Sequence, residues 1–211
     1  MKTEDLIGLL AEDAPVRWRL PGRLAAAVLA GTVVAVLLFV GLLGIRPDIV
    51  LAGQTARFLF KLLFVVALLC CALGAVAQAG LPQARLGGWG LALIVLLGAL
   101  AAAVAGELLL TPEHLWRTRL IGQNAALCLI AIPTLALAPL AFLLFALKEG
   151  APSRPGLSGA IAGLAAGGIA ATLYAVHCPD DSPLFVATWY LLAIAMVAGA
   201  GYVAGSRLLR W

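Results

Sequence analysis

Cysteine is the side chain in this sequence best equipped for chemistry, and there are four: Cys70, Cys71, Cys128 and Cys178. Their thiolates react with oxidants, with other thiols and with soft metal ions. Cys70 and Cys71 are neighbours inside a long apolar run and read as small, buried apolar side chains. Cys178 differs, because it sits in the tight loop His177-Cys178-Pro179-Asp180-Asp181, while Cys128 lies near the start of another apolar run. A disulfide between these two needs Cα atoms within ~7 Å, which close packing of the two runs at one end would permit. A soft metal site is the other chemistry these residues allow, with His177, Cys178, Asp180 and His114 as its nearest candidates and Glu113 beside them. Their spacing matches no standard zinc pattern, so no metal is expected. No C-x-x-C pair of the disulfide-oxidoreductase type is present.

The elements that position these residues follow from composition. The chain has 211 residues, of which 64% are hydrophobic and only 11% charged, and its mean hydropathy is +1.08. Soluble domains are nearer ~45–50% apolar and ~25% charged. A spanning helix needs ~20 mostly apolar residues, and six such runs are legible at about 24–44, 53–79, 89–110, 121–147, 157–177 and 184–205. Turn and charge signals separate them, including Arg46-Pro47-Asp48, Pro82-Gln83-Ala84-Arg85, Thr111-Pro112-Glu113 and Lys148-Glu149-Gly150. The first run follows a charged segment and precedes five more, so it reads as a retained span rather than a cleaved leader. The expected fold is all-α: a polytopic membrane protein with a six-helix transmembrane bundle (23–211) behind a tail (1–22). No soluble catalytic domain remains to be placed, and an enzyme is not expected.

Charge sets the orientation. With the N-terminus inside, Lys2, Arg17, Arg19, Arg23, Arg85, Lys148, Arg154, Arg207 and Arg210 share one face. Only Arg46, Arg57, Lys61, Arg117 and Arg119 fall on the other. The positive-inside rule then places both termini in the cytoplasm, and Cys128 and Cys178 on the oxidising side, where disulfides persist. The pI of 9.1 is therefore topological, and no basic patch with interleaved aromatics suggests nucleic acid. Arg57 and Lys61, a turn apart in the second run, and Glu107 in the third are the ionisable groups at membrane depth. They are expected to pair with one another, Arg57 and Lys61 snorkelling outward. A transporter would place charge or broken helices near the midplane.

Small residues mark where helices touch. Gly159, Gly163 and Gly167 recur every fourth position, as do Gly201 and Gly205, a spacing that lets helix backbones approach closely in lipid. Pro133 and Pro139 fall inside the fourth run and should bend it. Ser182-Pro183 reads as a helix start. Residues 3–13 of the tail read as a short amphipathic helix, with Leu6, Leu9 and Leu10 as an apolar stripe, Ile7 beside it, and Glu4 and Asp5 at its positive end. Being acidic, it suits a groove on a partner protein with a basic rim better than a membrane surface.

The stretch from Gly150 to Ala160, the ending Tyr174-Ala-Val-His-Cys178, Asp181-Ser-Pro-Leu-Phe185, Trp189-Tyr190 and the terminal Arg207-Leu-Leu-Arg-Trp211 together resemble one family. It is the NrsF family, negative regulators of sigma F: six-span inner-membrane anti-sigma factors that sequester extracytoplasmic-function sigma factors. The resemblance covers essentially the whole chain and implies three things. The N-terminal segment (Glu4, Asp5, Leu6, Ile7, Leu9, Leu10) would hold the sigma factor at the bacterial inner membrane. Cys128 and Cys178 match the family's periplasm-facing sensing pair. Oxidants or thiophilic metals acting on that pair would release the sigma factor. No cofactor and no direct nucleic-acid contact are implied. The competing readings are a small-molecule or ion transporter and a membrane thiol redox protein.

Overall fold

A computed structural model describes residues 20–79, 87–150 and 152–210. The tail with Glu4, Asp5, Leu6, Ile7, Leu9 and Leu10, and the connection carrying Arg85, lie outside the described residues. Six long helices dominate: α1 (Leu20–Leu42), α2 (Ala56–Ala79), α3 (Gly87–Leu110), α4 (Ala125–Leu147), α5 (Pro155–Ala175) and α6 (Pro183–Leu208). All six are long and apolar enough to cross a membrane, and no strand occurs among the described residues. The chain is an all-helical membrane-spanning protein.

α5 is the axis of the bundle. Its small residues let α6, α2 and α4 close around it, while α1 packs on α4 and α3 leans on α2. The glycine spacing is the cause. A Cβ on Gly159 would strike the carbonyl of Gly201, and one on Gly205 would come 2.7 Å from the Gly159 Cα. In lipid the stabilisation comes from this van der Waals contact rather than from leaving water. Pro139, inside α4, supplies the surface for α1: a Cβ on Gly31 would fall 2.6 Å from its Cα. α3 is the outlier, with only Leu100 and Glu107 buried.

The helix ends converge to build a polar end of the bundle. α1 stops at Gly44, whose φ of +72° is left-handed and suits glycine. A short helix, Trp116–Ile121, precedes α4 and stops at Gly122, with φ of +59°. A side chain there would collide with Phe185 and Asp180. α4 therefore begins at Ala125 rather than at 121, and Cys128 lies in its first turn. Ser182 caps α6 as its sequence suggests, accepting from the Leu184 N–H at 3.2 Å, with Pro183 at the first helical position. α6 then carries a π-turn at Val186–Tyr190.

The opposite end is cross-linked as well. Arg23 of α1 pairs with Glu149 beyond α4, and the buried Ser158 hydroxyl of α5 donates to the Ala79 carbonyl ending α2 at 3.1 Å.

Candidate functional site

The connection from α5 to α6, residues 176–182, is tied to every other long helix or its extension. Beyond α1, the Arg46 N–H donates to the Val176 carbonyl at 3.1 Å, and His177 Nδ1 meets the Gly44 carbonyl at 3.0 Å. From α2, Lys61 Nζ donates to the Cys178 carbonyl at 2.7 Å and pairs with Asp181. The Asp180 carboxylate reaches the start of α4, accepting from the Asn124 N–H at 2.9 Å, the Gln123 N–H at 3.1 Å and Asn124 Nδ2 at 3.1 Å. Asn124 is the N-cap of α4, so its N–H is among those a helix start leaves without an internal partner. From α3, Glu107 accepts from the Ser182 hydroxyl at 2.7 Å and from the Leu184 N–H at 3.4 Å.

Charge balances within this clasp. Arg46 grips Asp48 through two contacts of 2.7 Å, and its Nη1 reaches Asp181 at 2.9 Å and the Cys178 carbonyl at 3.3 Å. The hydrogen bond to Asp48, with help from Asp181, holds the Arg46 proton more firmly than water would. The same bond pulls the Asp48 carboxyl below its ordinary value. Glu107 is neutralised by Arg119 at 2.7 Å and by Arg57 at 3.4 Å. The expected pairing of Arg57 with Glu107 is present, but Lys61 departs from expectation. Its side chain has no exposed surface and turns inward to Asp181 and the Cys178 carbonyl instead of snorkelling out. Asp181 lies in the turn-like loop, where nothing in the local sequence marks it as a partner across the bundle.

Beneath the clasp lie the thiols. Cys128 and Cys178 are both free and both fully buried in the same hydrophobic cluster. Burial pushes the Cys178 thiol up; the Lys61 ammonium, the Asp180 N–H and the Tyr174 hydroxyl pull the other way. Its Sγ lies 3.9 Å from Asp180 Oδ2. Two tyrosines complete the wall. Tyr174 and Tyr190 stack at a tilt with centroids 5.7 Å apart, and the Tyr174 hydroxyl reaches the Asn124 carbonyl at 3.5 Å. A cleft of about 440 Å³ opens at this end of the bundle, lined by Arg57, Arg119, Gln123, Pro179, Asp180 and Asp181.

Cys128, in the first turn of α4, and Cys178, in the loop after α5, are both buried in the hydrophobic core. Cys70 faces outward and Cys71 is half-buried, so neither fills the interior. His114 is exposed in the single turn Glu113–Leu115. Among the described residues no three His, Cys, Asp or Glu side chains gather closely enough to share a metal ion. Arg46, Arg119 and the two tyrosines are site residues that sequence reasoning missed, and Asp181, which it considered only as a metal-site candidate of the Cys178 loop, pairs instead with Lys61 and Arg46. The turn signal at Arg46-Pro47-Asp48 was visible, but nothing local says that Arg46 reaches across to Asp181.

Six apolar helices, joined at one end by a polar clasp with two buried free thiols near it, define a polytopic membrane protein. The chain belongs to the NrsF family, negative regulator of sigma F, whose profile matches residues 9–211. It is 36% identical over 217 residues to the probable anti-sigma-F factor NrsF of Azospira oryzae, covering 100% of both chains. It is 37% identical over 215 residues to the anti-sigma-F factor NrsF of Caulobacter vibrioides, again covering 100% of both. No solved structure is significantly similar. These relatives are named as regulators rather than enzymes.

Proposed function

We propose that this chain is an anti-sigma factor of the inner membrane. In this reading it tethers an extracytoplasmic-function sigma factor at its cytoplasmic face and releases it when Cys128 and Cys178 react. The observation that carries the proposal is two free, buried thiols, Cys128 and Cys178, the second of them in the connection that ties the ends of all six spans together. Both termini are cytoplasmic in this reading, supported by the nine-to-five division of Lys and Arg between the two faces. The polar end then faces the periplasm. The sigma factor is held by the tail, through the stripe Leu6, Ile7, Leu9 and Leu10 and the acidic Glu4 and Asp5.

The signal is an oxidant or a thiophilic metal ion. Oxidation joins the sulfurs as the two thiols give up two electrons and two protons; a soft metal ion displaces the protons instead. Either product changes the volume and bonding of a site with no spare surface. Lys61 and Arg46 hold the Cys178 carbonyl, so a shift at the sulfur is passed to Asp181 and Asp180, and from them to α2 and α4. Packed interfaces of this kind switch between discrete arrangements rather than deforming continuously.

A reporter gene driven by the partner sigma factor tests this. Cys128→Ser and Cys178→Ser, singly and together, should abolish induction by oxidant or metal. Normal induction in the double variant would remove the thiols from the mechanism. The transporter alternative is less well supported, because the buried charges Lys61 and Glu107 both join the clasp at one end rather than lining a path through the bundle.

A further inference from the structure

The charged groups lining the cleft at the polar end differ in how much hydrogen-bonding capacity they have left. The Asp180 carboxylate is filled by the Gln123 and Asn124 N–H groups and by Asn124 Nδ2, and Asp181 is paired with Arg46 and Lys61. The two arginines are not filled. Arg57 and Arg119 converge on a single oxygen, Glu107 Oε1, at 3.4 and 2.7 Å. Two guanidiniums on one carboxylate leave a positive charge over. Each guanidinium has five N–H donors. Arg57 uses only Nη2, on the longer contact, and Arg119 only Nη1, on Glu107 and on the Thr111 hydroxyl at 3.1 Å. Snorkelling accounts for the 53% exposure of the Arg57 side chain, but not for its meeting a second arginine on one oxygen.

We propose that Arg57 and Arg119 form a binding site for a phosphate-type oxyanion, which enters through this cleft. The fork of an arginine matches two phosphate oxygens at once, and Thr118 and Gln123, also in the lining, supply neutral donors. The anion offsets the spare positive charge without displacing Glu107, whose carboxylate stays on Ser182 and Leu184. Arg57 belongs to the first turn of α2 and Arg119 to the short helix before α4. A bound anion therefore cross-links these two elements beside the clasp. The chemistry is the same for soluble phosphate and for a phospholipid headgroup. The site does not depend on the reading of the thiols.

The test titrates the full-length protein, in phosphate-free non-ionic detergent micelles, with inorganic phosphate at constant ionic strength. An anion that binds only the folded state raises the unfolding temperature. Arg57→Gln is the informative variant, because a half-exposed ion pair contributes little to the fold. It should need at least about tenfold more phosphate for the same rise, the scale of one hydrogen bond to a charged group. Arg117→Gln removes an exposed arginine of the same short helix that does not line the cleft, and should respond like the native protein. A parallel titration uses phosphatidylglycerol in mixed micelles in place of phosphate. A rise with phosphate marks a soluble anion and a rise with phosphatidylglycerol alone marks a headgroup; either supports the site when Arg57→Gln weakens it. No rise in either titration overturns the proposal. So does an undiminished response in Arg57→Gln, or an equal loss in Arg57→Gln and Arg117→Gln, which would reduce the effect to net charge.

Discussion

A lysine ammonium with no exposed surface, like that of Lys61, persists in an interior only while its partners hold it. Lys61→Met would strand part of the Asp181 charge and the Cys178 carbonyl. It should lower stability by about 3 kcal/mol, the low end for removing one partner of a buried pair, because Arg46 still holds Asp181. Arg57→Met removes a half-exposed contact of 3.4 Å and should cost less than about 1 kcal/mol. Thermal unfolding in one detergent compares the two variants. The Cys178 thiol adds a pH prediction. Burial favours its protonated form, so its thiolate fraction at any pH falls below that of a free cysteine. Its alkylation rate should therefore keep climbing above pH ~8.5, the ordinary thiol value, where an exposed cysteine levels off. A plateau there would contradict the burial. These residues were unequally legible in the sequence. The thiols and the membrane-depth charges stand out by type, but which carboxylate Lys61 selects depends on where a loop 120 positions later folds back.

At the scale of elements, the α5–α6 interface depends on absent side chains. A methyl group on Gly159 or Gly201 meets the facing backbone, which has no flexible end to give way. Gly159→Ala and Gly201→Ala should each destabilise by about 1–3 kcal/mol, as overpacking does. Gly199→Ala, with open space around it, should be neutral or stabilise by up to ~1 kcal/mol through helix propensity. Denaturant titration in mixed micelles checks the contrast; equal effects at the three positions would refute the interface. The glycine spacing announced this contact directly, and the six spans followed from hydropathy. Other features did not. Hydropathy does not distinguish a lipid-facing helix from a core one, so α5 as axis and α3 as periphery were hidden. The short helix Trp116–Ile121, carrying Arg117 and Arg119, falls in the charged connection before the fourth run, where hydropathy gives no sign of a helix.

At the scale of the molecule, the proposal requires a change at the thiols to reach the opposite end of the bundle. Moving the sigma-factor tether from about 1:99 to 99:1 takes ~5.5 kcal/mol of differential stability, whereas one disulfide typically contributes ~2–4 kcal/mol. Loosening the clasp adds to that, since Asp180 and Glu107 each hold a helix start through the same loop. Where the disulfide alone acts, release should be partial. If the tail holds the sigma factor as proposed, Leu6→Asp with Leu10→Asp should abolish binding while leaving the bundle folded; undiminished binding would remove the tail from the contact. The most direct test of the whole account is to isolate membranes carrying the full-length protein and measure how much sigma factor co-purifies before and after oxidant. The account predicts loss of sigma factor from the native protein and full retention by the variant carrying Cys128→Ser and Cys178→Ser. Equal loss from both, or no sigma factor bound at the outset, would contradict it.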